Sequence, residues 1–125
     1  MNKIYSEPMQ REIRIFGSLQ KASWVPVEVV DRWQSYREAV VWCWANRPFH
    51  GLAEPDDQAL FARHAGVHAP HMSRYVSEFS KAPMELKPDL IPAFEAYTGW
   101  RGVTQYLAKQ STVTIMEQVI AEKAA

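Results

Sequence analysis

Proline and glycine cut this chain into short pieces, and that restricts its fold more than any other feature. Eight prolines and five glycines fall at 8, 17, 26, 48, 51, 55, 66, 70, 83, 88, 92, 99 and 102. Proline removes a backbone donor and disfavours helical geometry in the residue before it. Glycine ends helices because it enters the left-handed region without steric cost. Between these breaks, apolar residues recur at spacings of three and four, the mark of helices with one buried face. The expected fold class is all-α: a compact bundle of five or six short helices.

The clearest helix is expected over 26–46. Val29, Trp33, Tyr36, Val40 and Trp44 form one apolar stripe, Pro26 suits a first helical position, and Arg47-Pro48 ends the helix. Further helices are expected over 55–65, stopping at Gly66, over 69–77, over 88–97, stopping at Gly99, over 101–109 and over 114–123. Thr114 and Glu117 have capping-box spacing, and Asp56 and Asp57 sit where carboxylates favour a helix dipole. The arm 1–23 is ambiguous. Met9, Ile13, Phe16 and Gln20 have helical spacing, whereas Ile13 and Ile15 alternate as in a short strand. Residues 24–111 form the main domain, and 112–125 a final helix that is a candidate dimerisation element.

Composition narrows the function classes. Fourteen basic and fourteen acidic side chains cancel, which excludes a generally polybasic nucleic-acid coater and leaves a local basic face open. Residues 58–81 are that local exception: three basic residues, one acidic residue and three of the four histidines. A lone cysteine, Cys43, excludes an internal disulfide and fits a reducing cytoplasm. No run approaches the roughly 18 apolar residues of a membrane helix, and 1–10 lacks the apolar core of a signal peptide. A soluble cytoplasmic protein that acts without a membrane is expected.

The stretch Gln58-Ala-Leu-Phe-Ala-Arg-His-Ala-Gly-Val-His-Ala-Pro-His-Met-Ser-Arg-Tyr-Val-Ser77 resembles the helix-turn-helix of lambda-repressor-like (Cro/CI/CII-type) regulators of phage and prophage. Ala62 stands where a small side chain lets the second helix approach, and Gly66 where the turn needs a left-handed backbone. Phe61, Ala65, Val67, Met72 and Tyr75 occupy the buried positions. Ser73-Arg74 matches a frequent pair of the recognition helix, and residues 86–101 look like the helices that follow it. Pro70 departs from the pattern, since a polar residue is commoner there.

The resemblance implies a sequence-specific regulator of transcription, repressor or activator, that places helix 69–77 in the major groove of double-stranded DNA. His68, His71, Ser73, Arg74 and Ser77 would face the groove, with Ala69 and Pro70 offering apolar contact. Arg74 is the best candidate for base readout, because a guanidinium pairs bidentately with guanine. Gln58, Arg63 and Lys81 are candidate phosphate contacts, which set affinity and its salt dependence. One short helix reads few base pairs, so a homodimer on a palindromic operator is expected, with RNA polymerase a further candidate partner.

Other constellations have plainer readings. His64, His68 and His71 have zinc-like spacing, but Gly66 breaks the helix they would share, so no metal site is expected. Protonation of His68 and His71 near phosphates would tighten binding at lower pH. Cys43 beside Trp42 and Trp44 reads as a buried inert thiol. Trp24, Trp42 and Trp100 do not all fit one stripe; an enlarged core and a dimer interface both account for them. Nothing in the chain argues for an enzyme or a cofactor. The alternative function is a protein-interaction module, a phage-type inhibitor or adaptor that keeps the fold without binding DNA.

Overall fold

The computed structural model describes residues 22–124. The two readings of the N-terminal arm therefore lie outside the described residues, apart from its last two. Six α-helices follow one another: α1 Val27–Val30, α2 Tyr36–Ala45, α3 Asp56–Ala65, α4 Met72–Val76, α5 Ile91–Thr98 and α6 Gly102–Ala124. Single 3-10 turns, Ala69–His71 and Pro88–Leu90, lead into α4 and α5. Among the described residues, the one strand-like pairing is an isolated parallel bridge between Ser23 and Trp100. None of these helices is long and apolar enough to cross a membrane.

The expected helix over 26–46 is two helices. Ser35 breaks it: its hydroxyl accepts from the Glu38 backbone N–H at 3.1 Å, while the Glu38 carboxylate accepts from the Gln34 N–H at 3.0 Å. This Ser-x-x-Glu box satisfies donors that a new helix start would otherwise leave bare, so the chain turns at 31–35 and begins again. The stripe survives the break. Trp33, Val40 and Trp44 are buried, and Val29 and Tyr36 pack at the core's edge.

The opposite correction applies at the C-terminus. The two helices expected over 101–109 and 114–123 are one helix of 23 residues, α6. Thr114 starts no helix. Its hydroxyl donates to the Gln110 carbonyl at 3.1 Å, as that of Thr112 does to Ala108 at 3.0 Å. The hydroxyls are thus satisfied within the helix instead of competing with it.

The core gathers Trp44, Phe61, Phe94 and Tyr97, with ring centroids 5.2 to 6.2 Å apart. α2 runs through its middle and touches α4, α5 and α6. Where α6 meets α2, Gly102 permits the close approach. A Cβ on it would stand 2.7 Å from Cys43 Sγ and 2.8 Å from the Trp33 ring, distances that real side chains do not tolerate. Cys43 is fully buried there, and burial, with the Glu95 charge second, pushes its thiol up to about 12. It is therefore protonated and unreactive at neutral pH.

The tryptophans divide. Trp33, Trp42 and Trp100 form a chain of tilted and edge-on contacts at 5.8 and 5.2 Å, which extends the core to its rim. Trp24 lies outside it, 66% exposed, under the Arg101 guanidinium. Asp56 and Asp57 also divide. Asp56 is exposed in the first turn of α3, as its position suggests. Asp57 is 1% exposed and bonded to Arg47 and Tyr97, so it is part of the core.

Candidate nucleic-acid interface

α3 ends at Gly66, whose φ of 71° is left-handed. Only Gly66, Val67 and His68 separate α3 from the 3-10 turn that opens the next helical segment. The inner side of that segment is well fixed: Met72, Tyr75 and Val76 are buried, facing Phe61 and Ala62 of α3 in the same core. Ala65 and Val67 are half-buried at its edge. The outer side presents His68, Ala69, Pro70 and Ser73 to solvent, with His71 and Arg74 half-buried beside them. Most of the candidate contact residues therefore share one short surface.

The expected helix over 69–77 is shorter and composite. Pro70 has no N–H, so Ala69–His71 makes a 3-10 turn closed by the His71 N–H on the His68 carbonyl at 2.8 Å. The α-helical part is only five residues long and ends at Ser77 in extended geometry. Arg37 of α2 holds that end. Its Nη1 donates to the carbonyls of Arg74 at 2.8 Å, Met84 at 3.2 Å and Tyr75 at 3.4 Å, and its Nη2 donates to that of Ser77. One cation thus satisfies the carbonyls that a helix C-terminus leaves without partners, and it complements their dipole. Arg37 lies off the apolar stripe of Val29 to Trp44, and nothing in its spacing announces this role.

Arg74 folds back along the surface. Its Nε donates to the Ala82 carbonyl at 2.6 Å, and the Met84 N–H donates to the Arg74 carbonyl at 2.9 Å. The 78–84 loop is thereby tied to α4, and Lys81, the residue before the bonded Ala82, is exposed on that loop. The Arg74 bond uses Nε and not the two terminal nitrogens.

Lys87 joins the group. Its charge, together with those of His68 and Arg74, acts on His71, whose pKa is lowered first by partial desolvation and then by these neighbours. His64 is also lowered, by desolvation and by Arg63. The His68 and His71 rings meet edge-on at 4.7 Å. Lys87 lies beyond the acid-poor stretch, and the way the 78–87 loop runs returns it to this group. The expected phosphate contacts are more scattered. Arg63 is exposed in the last turn of α3. Gln58 is the third residue of α3, in its first turn; it is half-buried, and its side-chain amide donates to the Glu54 carboxylate. That amide is committed to a neighbouring anion. Ser77 and Gln58 share a shallow cleft with Val41, Trp44, Glu78 and Phe79, separate from the outer side of 68–74.

Among the described residues, no group of three His, Cys, Asp or Glu side chains converges to hold a metal ion. Compared with known proteins, the chain matches no family model, no curated protein and no solved structure.

Proposed function

We propose that this protein is a sequence-specific double-stranded DNA-binding regulator of transcription, repressor or activator, which reads the major groove with the 69–77 segment in the manner of a helix-turn-helix. The observation that carries the reading is the surface made by 68–74 beside the 78–87 loop, which is tied to it through Arg74 and carries Lys81 and Lys87. It joins two histidines, an arginine and two lysines to small residues, on a short helical segment pinned from behind by three buried side chains and by Arg37. A short helical segment held from behind, with basic side chains on its outer side, is what groove entry needs. Arg74 is the base-reading candidate, His68, His71 and Ser73 are its neighbours, and Lys81 and Lys87 are candidate phosphate contacts. Two copies on a palindromic operator complete the proposal.

Selection of duplexes from a random library, followed by affinity measurements across salt, tests this. The expected result is one enriched site, bound with a strong negative salt dependence. Arg74→Ala should weaken that site by roughly 10- to 100-fold while changing random-duplex binding much less. No enriched site, with equal weak binding to every duplex, would overturn the reading. It would favour instead a protein-interaction module built on exposed Phe79 and the cleft beside it, Phe79 being 85% exposed.

pH gives an independent check. The neighbours that lower the His71 pKa are cations, and a phosphate backbone would offset them. Binding should then take up a proton at His71. Affinity for the selected site should rise as pH falls from about 8 to about 6, and a flat profile would place His71 away from the DNA.

A further inference from the structure

From Gln110 to Ala124 every residue of α6 is exposed, yet the helix carries an apolar stripe there: Val113, Ile115, Met116, Val119 and Ile120 are 42 to 65% exposed. These fifteen residues span about 22 Å of helix. Six of them, Thr112, Val113, Thr114, Ile115, Val119 and Ile120, are β-branched and poor helix formers. An isolated helix of that length is marginal in water even with the best sequence. The outer half of α6 therefore needs something packed on it.

Helical phase shows where. Gln105, Lys109, Thr112, Met116, Val119 and Lys123 fall on one face. In the first half, that face is already covered. Gln105 exchanges two hydrogen bonds with the Val25 backbone, at 2.8 and 2.9 Å, and Lys109 pairs with Asp31 at 3.0 Å. The cover ends with α1, and the bare stripe begins where it ends.

We propose that the outer half of α6 is a self-association surface on which a second copy of this chain packs, antiparallel, about a two-fold axis near Met116. Charge and space select this arrangement. Antiparallel pairing about Met116 sets Lys123 of the partner subunit opposite the Lys109–Asp31 pair, where the Asp31 carboxylate, 57% exposed, lies between the two lysines and offsets their repulsion. Glu117 and Glu122 lie outside the stripe's edges, so no like charges face each other across its centre. Parallel pairing would drive the two 22–31 segments into each other, since both cover the same face up to Lys109. Two helices packed over about fourteen residues bury on the order of 1,000 Å² in total, at the floor for a specific interface, so the dimer is weak, with a Kd in the micromolar range.

The inference is independent of DNA binding and is tested without DNA. Sedimentation of the full chain should show a reversible monomer–dimer equilibrium at micromolar concentration. Met116→Asp and Ile120→Asp should abolish it and leave the tryptophan fluorescence of the core unchanged. A variant with Asp31→Cys and Lys123→Cys should oxidise to a covalent dimer, since Cys43 is buried and does not compete. Lys123→Cys alone should not cross-link. A chain that stays monomeric into the hundred-micromolar range overturns the proposal, whether residues 1–21 or another protein cover the stripe. So does a dimer insensitive to the two aspartates, and self-cross-linking by Lys123→Cys alone would replace the antiparallel arrangement with a parallel one.

Discussion

Arg37→Met should destabilise the protein by about 2–4 kcal/mol and should loosen the 72–84 region before the rest. The side chain is half-buried, and its guanidinium donates to four carbonyls, those of Arg74, Tyr75, Ser77 and Met84. Methionine keeps much of the apolar stem and removes every donor. Hydrogen bonds from a charged donor are worth more than neutral ones, and the Tyr75 and Met84 carbonyls lose this donor at a desolvation cost, while those of Arg74 and Ser77 keep the Met84 and Ser80 N–H groups. The loss is concentrated because α4 is five residues long and cannot hold itself. Hydrogen exchange should therefore show lost protection at Tyr75, Val76, Ser77 and Met84, with that of α2 and α5 retained. If the DNA reading holds, affinity for the selected site should fall as well, although Arg37 is held behind the contact surface. Lys at 37 should rescue little, because an ammonium cannot fan out to four acceptors. Uniform loss of protection across all helices, or a stability change below about 0.5 kcal/mol, would show that the clamp does not hold the segment.

What could be read in the sequence, and what could not, follows from the range of the interactions. α3 was legible to within a residue, because both of its ends are local: Pro55 and Asp56 at the start, and a left-handed glycine at the stop. Gly99 ended α5 for the same reason. The break at Ser35 was also local, written as Ser-x-x-Glu, but the continuous stripe from Val29 to Trp44 outweighed it. A stripe persists through a turn when both helices pack on the same core, so periodicity alone cannot locate the break. The reverse error joined Thr114 to Glu117 as a start signal, where the threonine hydroxyl bonds backward inside α6. In the candidate site, the buried positions Phe61, Met72 and Tyr75 were legible through the resemblance to a helix-turn-helix, and in the core Cys43 from its apolar surroundings. Arg37, Lys87 and the turned-back Arg74 were not. Each depends on a partner 8 or more residues away, or on how the 78–87 loop returns, and no local pattern encodes that.

Asp57 shows the same limit, and it yields the other large expected effect: Asp57→Ala should cost about 3–5 kcal/mol. The carboxylate is fully buried, with Arg47 Nε on one oxygen and the Tyr97 hydroxyl on the other. Arg47 is itself largely buried, its guanidinium 4.1 Å over the Trp44 ring, with a second bond to the Trp44 carbonyl at 2.7 Å. Burial, and then the bond to Asp57, raises the Tyr97 phenol, so it stays a neutral donor at any ordinary pH. Removing the Asp57 carboxylate takes from Arg47 its buried anion and from the Tyr97 hydroxyl its side-chain acceptor, leaving that hydroxyl the residue-57 backbone carbonyl at 3.3 Å, and it empties space in a packed core. The Glu54 carboxylate, which also receives Arg47, recovers part of the loss from its more exposed position. Tyr97→Phe removes only the hydroxyl and should cost about 1–2 kcal/mol. The decisive comparison is a double-mutant cycle. Arg47→Met should cost nearly as much as Asp57→Ala, because it strands the carboxylate instead of the guanidinium. The double variant should cost clearly less than the two together, since neither charge is then left unpaired. Urea unfolding with an unchanged m-value measures all three. Additive losses would mean that Asp57 and Arg47 stabilise the core separately, through packing and not through each other.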